Sequence, residues 1–160
     1  MQKEIDIAKI NEAAWDGWSQ AGNEWTLPLS HEAFMATKQA PLEIYLTPGR
    51  PIPQDWYPPL EGTEVLGLAS GGGQQLPRLT AKGAKCTLFD NSSAQIAAER
   101  LVAEREGYEI KTIKGNMMEA LPFEDASFDF IINPVSTCYI QEVEPLWREC
   151  YRLLKAGGVL

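Results

Sequence analysis

Three consecutive glycines, Gly71 to Gly73, follow a short apolar run in "VLGLASGGGQQ", and an aspartate, Asp90, ends the next apolar run, "KCTLFD". Glycine at a strand end permits positive φ and lets a ligand touch the backbone. The helix start beyond it offers free N–H groups to a phosphate or carboxylate. Asp90 follows the glycines at about 20 residues, the spacing at which an acid meets a ribose diol. A carboxylate there accepts both hydroxyl protons. Each signal has a plainer reading: a tight turn for the glycines, and for Asp90 a helix N-cap, which Asn91 or Ser92 would serve equally. Together they imply an adenosine-containing cofactor without saying which one.

Two cofactor motifs are tested and fail. The dinucleotide fingerprint G-x-G-x-x-G finds Gly71 and Gly73, but its third position is Leu76. A P-loop is excluded because no Gly-Lys-Ser/Thr follows. His31 is the single histidine, so a multi-histidine metal site is excluded, and no metal is expected. Beside a helix start, His31 reads as a surface or capping residue before it reads as a base. Cys86, Cys138 and Cys150 form no CxxC pair and read as buried free thiols. Glu124, Asp125 and Asp129 read as a solvated turn. Trp15, Trp18, Trp25 and Trp56 precede the first strand of the alternating region and read either as a docking seam or as a lid and aromatic wall. Gln74 and Gln75 either begin a helix or reach the cofactor.

The elements that position these residues fall into two regions. Residues 1–60 form an N-terminal helical and proline-rich cap segment. Ile7, Ile10, Ala14 and Trp18 recur at helical spacing, with a stop at Gly22 and Asn23. Ser30 caps a second helix, "HEAFMATKQA", which Pro41 ends. "TPGRPIPQDWYPPL", with five prolines, reads as an extended connector. Residues 61–160 alternate strands and helices. "EVLGLA", "KCTLFD", "EIKTIKG" and "SFDFIIN" are the strands. Helices follow the glycines to about Lys82, cover "SSAQIAAERLVAERE" with Ile96, Arg100 and Leu101 near one face, and cover "EPLWRECYRLLK" with Leu146, Cys150, Tyr151 and Leu154 on one face. Gly157 and Gly158 end the last helix, and Val159 and Leu160 begin a fifth strand. This alternation predicts a parallel sheet with right-handed crossovers, and ligands in such sheets bind at the carboxyl ends of the strands.

At 160 residues the chain has one domain's length, and its net charge is −8. No basic face suits nucleic acid or an anionic membrane, and no apolar run spans a bilayer. "MQKEIDIAKI" has no signal-peptide core, so a reducing cytoplasm is the expected compartment.

From Glu64 to Leu160 five pieces occur in order: "VLGLASGGG", "TLFDNSSAQIAAER", "IKGNMMEALPFEDASFDFII", "NPVS" and "RLLKAGG". In them the sequence resembles the class I S-adenosylmethionine-dependent methyltransferases, within a bacterial branch carrying a GGGQQ loop. The resemblance implies an α/β, Rossmann-like, doubly wound, mostly parallel sheet with an N-terminal helical segment. It implies S-adenosyl-L-methionine as cofactor and a small-molecule acceptor. Ala69, Ser70, Gly71, Gly72 and Gly73 match the loop around the cofactor's methionine part. Asp90 matches the ribose acid, with Asn91 and Ser92 flanking the adenine. Asn116 matches an acceptor for the adenine amino group, and Met117 packs on the ring. Asn133 to Ser136 match the loop beside the transferred methyl. "NPVS" resembles the "NPPY" loop of amino-methylating enzymes, which makes Asn133 and Pro134 the catalytic candidates.

Two departures stand out. Many relatives carry an acid at the position of Gly67. The family sheet also has strands five, six and seven, so the domain is expected to be C-terminally truncated, with an exposed sheet edge through which copies associate. A nicotinamide-dependent oxidoreductase and a non-catalytic cofactor-binding module remain as alternatives.

Overall fold

The computed structural model describes residues 5–47 and 49–160. Met1 to Glu4 of the opening stretch and Pro48 of the connector lie outside the described residues. The elements are α1 (Ile7–Gln20), α2 (His31–Gln39), β1 (Tyr45–Thr47), β2 (Arg50–Pro51), β3 (Glu64–Leu68), α3 (Gln75–Thr80), β4 (Lys85–Asp90), α4 (Ser93–Glu106), β5 (Lys111–Lys114), β6 (Phe128–Ile132), α5 (Glu144–Leu153) and β7 (Leu154–Val159), with short 3-10 turns at Glu24–Thr26, Gln54–Trp56 and Ser136–Tyr139.

The main sheet is parallel, in the order β5-β4-β3-β6-β7. The chain winds outward from β3 to β5, then returns beside β3 as β6, so strand order reverses between β3 and β6. Alternate residues feed two cores. Val65, Cys86, Leu88 and Ile132 join Leu76, Leu79 and Ile96 on the face of α3 and α4. Leu66, Leu68, Phe89 and Ile131 join Leu146, Cys150 and Leu153 of α5 on the other. Burial on both faces accounts for the near-continuous apolar runs of β3, β4 and β6.

Several boundaries differ from the sequence expectation. The connector contains the antiparallel β1–β2 pair, and Leu42, Ile44 and Ile52 join the α3/α4 core. Helix α5 stops at Leu153, and Leu154 is already extended. Gly157 and Gly158 therefore lie inside β7 instead of ending a helix. The fifth strand starts five residues earlier than expected and pairs with β6, so the strand-four edge is covered. Tyr151 is 85% exposed, and Leu153 takes its expected place in the core. In α4 the buried face is Gln95, Ile96, Glu99, Val102 and Ala103, whereas Leu101 points outward. Cys86 and Cys150 are buried, but Cys138 is exposed. Asp129 is not a turn residue: it lies in β6, accepts from Lys155 Nζ and Glu64 N at 2.9 Å each, and its carboxyl is held low by the lysine first. Asp125 pairs with Arg152 at 2.9 Å.

Candidate active site

The carboxyl ends of β3, β4, β5 and β6 open into one cavity of about 450 Å³. Ala69 to Gly71, Phe89 to Ser92, Gly115 to Met118 and Pro134 to Ser136 line it in turn. It lies where the strand order reverses, the expected position for a ligand in a doubly wound sheet.

The glycine loop answers to α4 more than to a ligand. A Cβ on Gly72 would stand 1.6 Å from the Gln95 carbonyl oxygen, and one on Gly73 would stand 3.0 Å from that of Ala98. Their backbone N–H groups are taken as well. Gly71 N–H donates to Asp90 Oδ2 at 3.2 Å, Gly72 N–H to Gln95 Oε1 at 2.8 Å, and Gly73 N–H to Glu99 Oε2 at 2.6 Å. The free anion-binding donors expected at this loop are thus committed to side chains of β4 and α4. Gly72 and Gly73 lie behind the cavity wall, whereas Ala69, Ser70 and Gly71 form it. Ala69 adopts φ +46 to make the turn.

Gly67 has a local explanation. A Cβ there would come 2.7 Å from Leu76 Cδ1 and 2.6 Å from Ser70 Oγ. Leu76, where a dinucleotide site has its third glycine, fills the space that any acid at position 67 would need.

Asp90 is 8% exposed and lines the cavity. It is not the helix cap: Ser92 is, its Oγ accepting from Gln95 N–H at 3.1 Å. Besides Gly71 N–H, Asp90 accepts from Ser92 N–H at 2.9 Å. Burial pushes its carboxyl pKa up, against the pull of these N–H groups. Asn91 donates to Ala8 O at 2.6 Å. Asn116 Oδ1 accepts from Met118 N–H at 3.0 Å, which turns the segment after β5 into the cavity and leaves one lone pair for a ligand. Met117 and Met118 line the cavity.

Asn133 Nδ2 donates to Leu68 O at 2.7 Å and lies 4.0 Å from Met117 Sδ, while its Oδ1 is buried with no partner. Pro134 lines the cavity. Val135 beside it holds φ +62, an outlier for a β-branched residue, and Ser136 N–H donates to Pro134 O at 2.7 Å across it.

Helix α1 covers the cavity with Ala8, Asn11, Glu12, Trp15 and Trp18. Ile10 and Trp18 of the apolar stripe are exposed, and no α1 residue is fully buried. Its polar face makes the attachments. Asp16 accepts from Ser92 Oγ and from Ala94 N–H at 3.0 Å, Glu12 pairs with Lys114, and Asn11 Nδ2 donates to Tyr139 O at 2.9 Å. These bonds reach both the β4–α4 side and the segment after β6. Trp15 meets Trp18 and Tyr139 edge to face, with ring centroids 4.9 and 5.8 Å apart. Trp25 also lines the cavity; Trp56 is exposed and outside it. Trp15, Trp18 and Trp25 thus form a wall, not a core seam. Gln75 begins α3, and Gln74 Nε2 donates to Leu27 O at 2.9 Å. His31 is a surface residue whose Nδ1 bonds Glu106 Oε2 at 2.9 Å.

Gln95 and Glu99 escaped the sequence reading because polar residues on a helix read as solvent-facing. Their spacing of four, in register with Ile96 and Val102, was the available signal.

Such a cavity at the switch point of a doubly wound sheet, with an acid ending the second sheet strand, defines a nucleotide-cofactor fold. Residues 66–160 match the family described as "Methyltransferase domain", and the chain belongs to that family. A Bacillus subtilis (strain 168) protein named "Uncharacterized methyltransferase YbaJ" is 45% identical over 150 residues, covering 94% of this chain and 59% of the relative. The fold recurs in a Haemonchus contortus phosphoethanolamine N-methyltransferase solved with phosphoethanolamine and S-adenosylhomocysteine (TM-score 0.66, 18% identity, 95% of this chain and 31% of that chain). It recurs in an S-adenosylmethionine-dependent methyltransferase from Mesorhizobium loti (TM-score 0.59, 23% identity, 66% and 48%). The chain spans less than two thirds of each of these proteins.

Proposed function

We propose that the chain is the cofactor-binding part of an S-adenosyl-L-methionine-dependent methyltransferase acting on a small molecule. The observation that carries this is Asp90, a buried carboxylate facing the cavity at the end of β4. Each of its oxygens accepts one backbone N–H and retains a lone pair for a ribose hydroxyl. The cofactor fits on a second ground. Gln95 Nε2 is buried in the lining with no partner, a donor that a ligand oxygen or nitrogen would satisfy.

In this reading Asp90 holds the ribose, Asn91 and Ser92 flank the adenine, and Asn116 and Met117 meet its edge and face. Ala69, Ser70 and Gly71 border the methionine part. Held there, the cofactor would supply an already activated sulfonium methyl for in-line transfer to an acceptor lone pair. The chain's task is alignment and exclusion of water. Pro134 and Ser136 place the acceptor, while Asn133 acts behind them by fixing the loop to β3. The GGGQQ branch and a cytoplasmic setting belong to this proposal; no described helix is long and apolar enough to cross a membrane.

A thermal-shift comparison of S-adenosylhomocysteine, S-adenosylmethionine, NAD and ATP tests it. S-adenosylhomocysteine at about 100 times its dissociation constant adds roughly 2.7 kcal/mol of stability. A melting curve that moves with NAD and not with S-adenosylhomocysteine defeats the proposal.

A further inference from the structure

We infer that the acceptor taken by this cavity is an uncharged small molecule with a flat, apolar body and one hydrogen-bonding group. This rests on the methyl-transfer reading above. The wall opposite the glycine loop is aromatic. Trp15, Trp18 and Tyr139 stand edge to face, at interplanar angles of 81° and 83°, and Trp25, Tyr45 and Ile140 extend the surface. Perpendicular rings make a corner against which a flat ring system stacks.

Charge narrows the class. The ionised side chains on the wall are Asp90 and Glu12, and no lysine, arginine or histidine lines it among the described residues. Asp90 serves the cofactor end, and Lys114 neutralises Glu12 from outside. A carboxylate or phosphate on the acceptor would lose its water against tryptophan with no cation to meet it. A fixed cation would sit beside the sulfonium, and a protonated amine has no lone pair to accept the methyl.

Polarity supplies the last feature. Ser136 is 7% exposed, its Oγ has no partner, and it lines the cavity beside Pro134. Gln75 Oε1 is likewise buried and unpaired in the lining. Buried polar atoms are seldom left unsatisfied, and an O–H or N–H on the acceptor satisfies either one.

Three probes of one shape test this: naphthyl methanol, naphthoate and naphthylmethylammonium, titrated by calorimetry into the chain saturated with S-adenosylhomocysteine. Naphthyl methanol should bind at least about tenfold more tightly than either ion. Ser136→Ala and Trp15→Ala should each weaken it several-fold while S-adenosylhomocysteine affinity stays within twofold. Equal or tighter binding of an ion, or no binding of any probe to the loaded chain, overturns the inference and leaves the methyl-transfer reading intact. Failure to load with S-adenosylhomocysteine overturns that reading, and this inference with it.

Discussion

The backbone N–H of Gly73 donates to Glu99 Oε2 at 2.6 Å, and Tyr108 Oη donates to the other oxygen at 3.1 Å. Glu99 is fully buried, and burial raises its pKa from 4.5 to about 7 against both donors. Between these values the folded chain keeps a proton that the unfolded chain has released. Glu99's contribution to stability is therefore full below about pH 4.5 and falls as pH rises through about 7, by on the order of 3 kcal/mol. Glu99→Gln removes the titration and still accepts from Gly73. Urea denaturation from pH 4 to 8 should show the variant gaining on the wild type across this window; parallel profiles would refute the assignment.

Asp90→Asn removes the charge and one acceptor while leaving the shape. Hydrogen bonds to a charged group are worth about 1.5–3 kcal/mol each, so S-adenosylhomocysteine affinity should fall tenfold or more. Circular dichroism should stay native. Wild-type affinity in the variant would confine Asp90 to holding Gly71 and Ser92.

Two glycine replacements should act in opposite directions. Gly72→Ala drives a methyl into the Gln95 carbonyl and should cost on the order of 4 kcal/mol or more. Gly17, inside α1, has nothing within 4 Å of a built Cβ, and Gly17→Ala should stabilise by about 1 kcal/mol. Thermal denaturation measures both.

Strand β7 ends the sheet on its side among the described residues, and its pairing with β6 is irregular. Open edge groups invite a second chain. Concentration-dependent association in light scattering is the expected outcome, and a monomer at all concentrations would refute it.

Strands β3, β4 and β6 were legible because burial on both faces writes a near-continuous apolar run, and Asp90 because it ends one. Helix α4 lies within the stretch the sequence marked, starting at its Ser92 cap and ending at Gly107. What was hidden depends on contacts across the fold. The excluder of side chains at Gly72 is a carbonyl 23 residues away, and no local pattern announces it. The same holds for Gly67 and Leu76, whose apparent departures from two different motifs are one packing arrangement. In α1 the apolar stripe misled in part: Trp18 lines the cavity, but Ile10 is exposed and the helix is held by the hydrogen bonds of Asn11 and Asp16 and by the Glu12–Lys114 pair. The Leu153–Leu154 boundary was obscured because leucine serves both helix and strand.

Helix α1 has no fully buried residue and is attached to both flanks of the cavity through polar groups. Water can take over every one of those bonds, so detaching the helix costs little compared with unfolding the sheet beneath it. Salt, which weakens the Glu12–Lys114 pair, should therefore loosen α1 over the cavity while leaving the sheet intact. The cover of the cavity is thus supplied by the N-terminal segment, outside the residues that match the family.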